Sequence, residues 1–161
     1  MLFRSIAEGF SESFADWLMH STGFPVHIAK ANELMQAGRA YVAPNGYQTT
    51  VDGAGWIRLT KGDPANGHCP SVSCLFRSVA ETYGAHSVGV LLTGMGKDGA
   101  AELGLMKAKG AVTIAQDMES AVVYGMPGEA VRQGAATYIL TPGKLTAVLV
   151  SLASHPPLRP L

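Results

Sequence analysis

The sequence predicts an α/β fold with three layers, in which a mostly parallel sheet is flanked by helices and an antiparallel hairpin lies near residues 46–60. From residue 87 onward, short apolar runs alternate with stretches whose apolar residues recur at helical spacing. That alternation is typical of β-α units and of a parallel sheet covered by helices. Upstream, two strand-like runs flank Asp52-Gly53, a residue pair that favours a tight hairpin turn.

The first half of the chain is predicted to hold a helix, two short strands, the hairpin and a second helix. The first helix ends near Gly23. Its predicted apolar face consists of Phe10, Phe14, Trp17 and Leu18. The predicted strands cover 25–29, 40–44, 47–51 and 56–60. After a loop over 64–68, Ser71 is placed to cap the second helix. The predicted apolar face of that helix consists of Val72, Leu75, Phe76, Val79 and Ala80.

The second half is predicted to contain three strands, each followed by a helix. The strands cover 87–92, 111–116 and 137–140. The helices cover 99–109, a stretch between 120 and 134, and the residues from 142 onward, with a frayed tail over 154–160. In parallel sheets, ligands and catalytic groups lie beyond the carboxyl ends of the strands. Residues 93–99 are therefore the first candidate for a site.

Length, composition and charge restrict the class of protein. A chain of 161 residues with 47% hydrophobic residues can bury a sizeable core, which predicts a single domain over residues 1–161. Twelve Lys and Arg residues balance twelve Asp and Glu residues, so charge gives no argument for nucleic acid or a membrane surface as partner. Cys69 and Cys74 are too few for a disulfide framework, which favours a reducing, cytoplasmic compartment.

Neither membrane insertion nor a structural metal is expected. No apolar run of the sequence approaches the roughly 20 residues of a membrane-spanning helix. Four histidines, His20, His27, His86 and His155, are scattered and do not show the spacing of a zinc site.

Residues 93–99 combine three glycines with one carboxylate at a predicted strand-to-helix bend. Gly94, Gly96 and Gly99 permit positive φ angles and close approach of other backbone. Asp98 lies where the free N–H groups of the next helix begin. Such a bend can hold an anion, or it can hold the Asp98 carboxylate itself in its ionised form.

Three interpretations of this bend are open from the residues alone. Gly94-x-Gly96-x-x-Gly99 matches the dinucleotide fingerprint, with Asp117 about one β-α-β unit later, although Asp98 would repel a pyrophosphate. Asp98 can instead be a capping or first-turn acid that stabilises its helix by roughly 1 kcal/mol. It can also be the orienting carboxylate of a Ser-His-Asp triad, held ionised by backbone N–H groups. The last two interpretations are compatible.

Several motifs, in order along the chain, resemble the CheB-type protein-glutamate methylesterases of bacterial chemotaxis over about residues 5 to 150. The matching segments are residues 10–18, Ala40-Tyr41-Val42-Ala43-Pro44, Pro70-Ser71-Val72 with Leu75-Phe76, residues 92–99, Thr113-Ile114-Ala115-Gln116 and Val123-Tyr124-Gly125-Met126-Pro127. The resemblance implies hydrolysis of glutamate methyl esters on methyl-accepting chemotaxis receptors, with release of methanol, and deamidation of receptor glutamines. It further implies a serine nucleophile, a histidine base, an aspartate and no cofactor.

Residue by residue, the resemblance assigns two roles in this sequence. Asp98 takes the place of the triad aspartate, and the backbone N–H of Met95 takes the place of an oxyanion donor. Gly94, Gly96 and Gly99 would form the supporting loop.

The sequence also departs from the family pattern. The family's serine lies in a Gly-x-Ser-Thr-Gly-Gly turn ahead of the matched segments, and this sequence has no such turn. Ser5 stands at the family's histidine position, and Ser73 stands where its Pro-Ser-Val-Asp motif has aspartate. The expectation is an N-terminally truncated catalytic domain without a receiver domain, in which Asp98 is present but the nucleophile and base are missing. The alternative is a catalytically dead remnant that binds a receptor or another partner.

Overall fold

The structure, a computed structural model, describes residues 10–61 and 68–154 of the chain. The predicted tail from residue 155 and most of the predicted loop over 64–68 lie outside the described residues. The chain divides into two compact units, the first ending at Thr82 and the second beginning at Tyr83. Each unit has its own parallel strand pairing.

The first unit contains helices α1 and α2 and strands β1 to β5. The helices are α1 (Phe10–Thr22) and α2 (Val72–Tyr83). The strands are β1 (Val26–Ile28), β2 (Glu33–Leu34), β3 (Ala40–Val42), β4 (Gln48–Val51) and β5 (Trp56–Thr60). Strands β1 and β3 pair in parallel, whereas β2, β5 and β4 form an antiparallel sheet in that order. The predicted hairpin is confirmed as β4 and β5, and β2 is an addition that the sequence did not predict.

The predicted apolar face of α1 is partly wrong. Phe14 and Leu18 pack against a small core of Ala15, Val26 and Val42. Trp17, in contrast, is 61% exposed and stacks on Phe14. Ala15 supplies the buried contact in its place because a small side chain allows the helix to lie close to β1 and β3. The side chain of Phe10 lies outside the described part of the chain.

The predicted cap of α2 is confirmed. Ser71 immediately precedes the helix, and its Oγ accepts the backbone N–H of Ser73 at 3.1 Å. The N–H of Ser71 itself donates to the side-chain carbonyl of Gln48 at 2.9 Å. These bonds satisfy backbone donors that would otherwise be unpaired at a buried helix start.

The second unit is a three-stranded parallel sheet with helices between its strands. A short 3-10 helix (Gly84–His86) leads into strands β6 (Val88–Leu91), β7 (Val112–Gln116) and β8 (Tyr138–Leu140). The helices are α3 (Ala100–Ala108), α4 (Met126–Arg132) and α5 (Pro142–Ser154). The strand order is β6-β7-β8, and both pairings are parallel. This confirms the α/β class, with every predicted strand and helix of this half present.

The core of this unit lies between β7 and the helices that cover it. Leu103 and Met106 of α3, Ile114 and Ala115 of β7, and Ala130 of α4 are each at most 1% exposed. Because the three strands are parallel, their carboxyl ends lie at one edge of the sheet. The loops that follow β6 and β7 therefore meet at that edge.

Candidate active site

The first site loop, residues 92–99, joins the end of β6 to the start of α3. Gly96 and Gly99 have φ angles of 81° and 80°, which L side chains rarely adopt. Helix α3 begins at Ala100, and the carbonyl of Gly99 accepts the N–H of Leu103 at 2.8 Å. The predicted strand-to-helix bend is confirmed, and the glycines are required by its backbone conformation.

Asp98 is buried within this loop. Its exposed fraction is only 4%, although Lys97 before it is exposed. The capping position of α3 belongs to Gly99, so the interpretation of Asp98 as the capping residue is wrong by one position. A buried carboxylate needs hydrogen-bonding or charged partners to stay in the fold. Such a carboxylate at a strand end is the kind of group that can orient a histidine.

Met95 lies at the exposed tip of the same loop. Its residue surface is 79% exposed. Its backbone N–H donates to no acceptor within residues 10–61 and 68–154. A backbone N–H without an internal acceptor is the kind of donor that can stabilise an oxyanion.

The second site loop, residues 117–125, joins β7 to α4, and its last residues are bonded to Thr93 and Gly94 of the first loop. The Thr93 hydroxyl accepts the Val123 N–H at 2.8 Å and donates to the Val123 carbonyl at 3.1 Å. The Gly94 N–H donates to the same carbonyl at 3.0 Å, and the Gly94 carbonyl accepts the N–H groups of Gly125 and Met126. Gly94 also forms a parallel bridge with Tyr124. The two loops therefore behave as one structural piece.

Gln116, the last residue of β7, forms hydrogen bonds with both site loops. Its side chain is buried, with 4% exposure. The amide oxygen accepts the Thr93 N–H at 2.7 Å, and the amide nitrogen donates to the Ser120 carbonyl and hydroxyl at 2.9 and 3.1 Å. From the sequence alone, Gln116 is recognisable only as part of the motif Thr113-Ile114-Ala115-Gln116. The signal that could have indicated it is a polar amide at the end of a buried strand.

Gly125 allows the two loops to approach each other closely. A Cβ placed there would lie 2.5 Å from the Gly94 carbonyl oxygen, 2.9 Å from the Gly96 nitrogen and 3.1 Å from the Met95 carbonyl carbon. All three are backbone atoms, which cannot move aside as a flexible side chain can. Only glycine fits at this contact.

Glu129 on α4 adds a fixed negative charge after the second site loop. Hydrogen bonds from Arg132 and Gln133, together with the positive charges of Arg132 and Lys97, lower the pKa of Glu129 from 4.5 to about 2. The same pairing raises the pKa of Arg132. Glu129 is consequently ionised over the whole neutral range.

Metal-binding and membrane-spanning features are missing from the part of the chain that the structure describes. Within residues 10–61 and 68–154, no group of three His, Cys, Asp or Glu side chains is arranged to hold a metal ion. The helices described there include none long and apolar enough to cross a membrane.

The second unit belongs to the open α/β class, in which sites lie beyond the carboxyl ends of parallel strands, and the two site loops lie at that edge. The family model described as CheB methylesterase matches residues 1–149, and this chain belongs to that family. The structure resembles the crystal structure of the Thermotoga maritima CheB methylesterase catalytic domain with a TM-score of 0.88 at 32% identity. That likeness covers 93% of this chain and 81% of the other.

Curated relatives agree with this assignment. A protein-glutamate methylesterase/protein-glutamine glutaminase of Syntrophus aciditrophicus is 54% identical over 153 residues, and one of Nitrosospira multiformis is 51% identical over 155 residues. The protein-glutamate methylesterase FrzG of Myxococcus xanthus is 41% identical over 147 residues. The matches cover 95%, 96% and 91% of this chain but 44% of each relative, so the chain spans less than half of their length.

Proposed function

We propose that this chain supplies the aspartate and an oxyanion donor of a protein-glutamate methylesterase site. Asp98 is the orienting carboxylate, and the Met95 N–H is the donor. The observation that carries the proposal is that both groups lie in the loop between β6 and α3, where the Asp98 residue is buried and the Met95 residue is exposed with no acceptor for its N–H in the described part of the chain. Gly94, Gly96 and Gly99 support that loop. The serine and histidine of the reaction would come from the family segment that carries the Gly-x-Ser-Thr-Gly-Gly turn.

The proposed chemistry follows from these positions. A serine oxygen attacks the ester carbonyl of a methylated glutamate while a histidine takes the serine proton. The carbonyl oxygen becomes an oxyanion and accepts the Met95 N–H. The histidine returns its proton to the departing methoxide, which leaves as methanol, and water then hydrolyses the acyl-enzyme. Asp98 orients the histidine and stabilises its cationic form throughout.

The substrates we propose are glutamate methyl esters, and also certain glutamines, on methyl-accepting chemotaxis receptors in the cytoplasm. Exposed apolar side chains in the two site loops support a protein substrate, since such side chains commonly mark contact surfaces. They are Leu92, Met95, Met118, Val122 and Val123. Two cysteines, Cys69 and Cys74, are too few for a disulfide framework, which favours a reducing compartment. A single catalytic domain over residues 1–161 is part of the same proposal.

The proposal is tested with a joined protein. It consists of residues 6–161 preceded by the segment of the Syntrophus aciditrophicus relative that carries the family's serine turn and histidine. Methanol release from a methylated receptor fragment is measured for this joined protein and for its Asp98→Asn variant. We expect turnover by the joined protein and a loss of about four orders of magnitude in the variant, as for the triad aspartate elsewhere.

Asp52→Asn is the matched control. Asp52 is also a hydrogen-bonded aspartate, paired with Arg58 in the hairpin region, but it belongs to the first unit and not to the site loops. Its replacement should leave turnover unchanged. Equal turnover by the Asp98→Asn and Asp52→Asn variants would reject the assignment of Asp98. Absence of ester hydrolysis in the unsubstituted joined protein would reject the methylesterase function and favour the binding remnant.

A further inference from the structure

We propose that Gln116 is a positioning residue of this site, which aims the Met95 N–H through the Thr93 and Gly94 backbone. This inference rests on the proposed function, because it takes the Met95 N–H to be the oxyanion donor. It concerns a residue that touches neither substrate nor reacting atoms. Its influence on the orientation of the Met95 N–H would pass through the Thr93–Gly94 and Gly94–Met95 peptide units.

The argument begins with the peptide between Gly94 and Met95. The carbonyl of Gly94 and the N–H of Met95 belong to the same planar unit and point in opposite directions. The carbonyl accepts two hydrogen bonds, from Gly125 at 3.1 Å and from Met126 at 2.9 Å. Fixing the carbonyl therefore fixes the direction of the Met95 N–H, which donates to no acceptor in the described part of the chain.

The preceding backbone is held in the same way. The Thr93 N–H donates to the Gln116 amide oxygen at 2.7 Å, and the Gly94 N–H donates to Val123. Gln116 also donates twice to Ser120, in the second site loop. One buried side chain thus fixes the start of the first loop and the bend of the second. The second loop in turn holds the Gly94 carbonyl.

Thr113, on the same strand, is a buried and hydrogen-bonded polar residue that does not contact the site loops. Thr113 is completely buried, and its hydroxyl donates to the Ala135 carbonyl at 2.8 Å and accepts the Thr137 N–H at 3.0 Å. Those partners precede β8 at the amino end of the sheet, away from the site loops. Gln116 and Thr113 are therefore both buried and hydrogen-bonded. The partners of Gln116 lie at the carboxyl end of the sheet, whereas those of Thr113 lie at the amino end.

The first experiment measures amide hydrogen exchange in the 161-residue chain and needs no activity. Gln116→Met keeps the length of the side chain and removes its hydrogen bonds. Thr113→Val keeps the branched shape of the side chain and removes the hydroxyl. Without the Gln116 amide oxygen as acceptor, the Thr93 N–H should exchange about ten times faster. The Thr113→Val variant should leave Thr93 exchange unchanged, and its Thr137 N–H keeps the bond to the Thr113 backbone carbonyl at 2.9 Å.

The second experiment measures kcat and KM for methanol release by the joined protein. Since a small misplacement of a catalytic donor lowers the rate of the chemical step, Gln116→Met should lower kcat by about tenfold to a hundredfold. KM should stay the same because Gln116 does not contact substrate. Thr113→Val should keep the kcat of the unsubstituted joined protein.

The outcomes separate this inference from the proposed function. Unchanged Thr93 exchange in the Gln116→Met variant would disprove the link between the amide and the loop. Faster exchange with an unchanged kcat, or a change confined to KM, would show a structural role and would overturn the positioning role. In those cases the Asp98→Asn variant would still lose turnover. If the unsubstituted joined protein itself fails to hydrolyse the ester, the proposed function fails, and the positioning role fails with it.

Discussion

Gly125 is a single residue whose missing side chain determines how closely the two site loops approach. Its φ and ψ angles of −86° and −79° are accessible to alanine, so backbone conformation does not require glycine here. The restriction is steric, because the space for a Cβ is already filled by backbone of Gly94, Met95 and Gly96. Substitution therefore tests the contact between the loops without adding a backbone penalty.

We expect Gly125→Ala to lower the free energy of unfolding by about 1–3 kcal/mol, the usual cost of overpacking against atoms that cannot yield. The measurement is urea denaturation of the 161-residue chain. Gly143→Ala is the control, since a Cβ there meets nothing within 4 Å and alanine is the better helix former. Its stability should equal or slightly exceed that of the original chain. Identical unfolding curves for both variants would contradict the close approach.

At the scale of residues, the sequence singled out groups with recognisable chemistry and did not single out residues whose contacts lie far along the chain. Asp98, Met95 and the three glycines were predicted from one short segment and a family resemblance. Gln116 and Gly125 were quoted only within motifs. Their partners in the first site loop lie more than 20 residues away, and single-sequence patterns do not specify which loops will meet. That information depends on strand order, which places β6 beside β7.

At the scale of elements, prediction succeeded where periodicity extended over several residues. Helix α3 begins one residue after its predicted start, and the strands of the second unit lie within their predicted ranges. Strand β2 was missed because it has two residues and is defined only by its pairing with β5. Helix α4 was predicted within a longer stretch, since the residues before it form the second site loop instead.

The charge pair on α4 gives a prediction for the dependence of stability on pH. Because the pKa of Glu129 is lowered from 4.5 to about 2 in the fold, ionised Glu129 stabilises the folded state above pH 4.5. That stabilisation is lost as the pH falls from 4.5 toward 2. The urea midpoint of the original chain should therefore exceed that of Glu129→Gln at pH 7, with a difference that shrinks on acidification. The difference should be small, since the pair faces solvent.

Arg132→Met supplies the control for this pair. Arg132 donates to both carboxylate oxygens of Glu129, so in an Arg132→Met background the Glu129→Gln substitution should change the urea midpoint much less. A difference that stays constant from pH 7 to pH 3, or that grows as the pH falls, would contradict the assigned cause of the pKa shift.

At the scale of the whole molecule, the alternation of strands and helices was sufficient to predict the α/β class and the edge of the sheet at which the strand-end loops meet. The division into separate hydrogen-bonded sheets was not readable from the sequence. Short strands such as β1 and β3 carry patterns too brief to indicate their partners. Family membership supports the triad interpretation among those that the glycine-rich bend left open, because a fold by itself is compatible with many chemistries.

The fingerprint Gly94-x-Gly96-x-x-Gly99 provides a last prediction, which concerns the class of ligand. A dinucleotide pyrophosphate needs free N–H groups and a positive field at this bend. The Gly94 N–H already donates to Val123, and buried Asp98 places a carboxylate at the bend. Isothermal titration of the 161-residue chain with NAD should therefore show no saturable binding, and Asp98→Asn should not create it, whereas a dehydrogenase under the same conditions gives a normal isotherm. Saturable binding that tightens when Asp98 is neutralised would instead identify the bend as a nucleotide site and remove Asp98 from the triad.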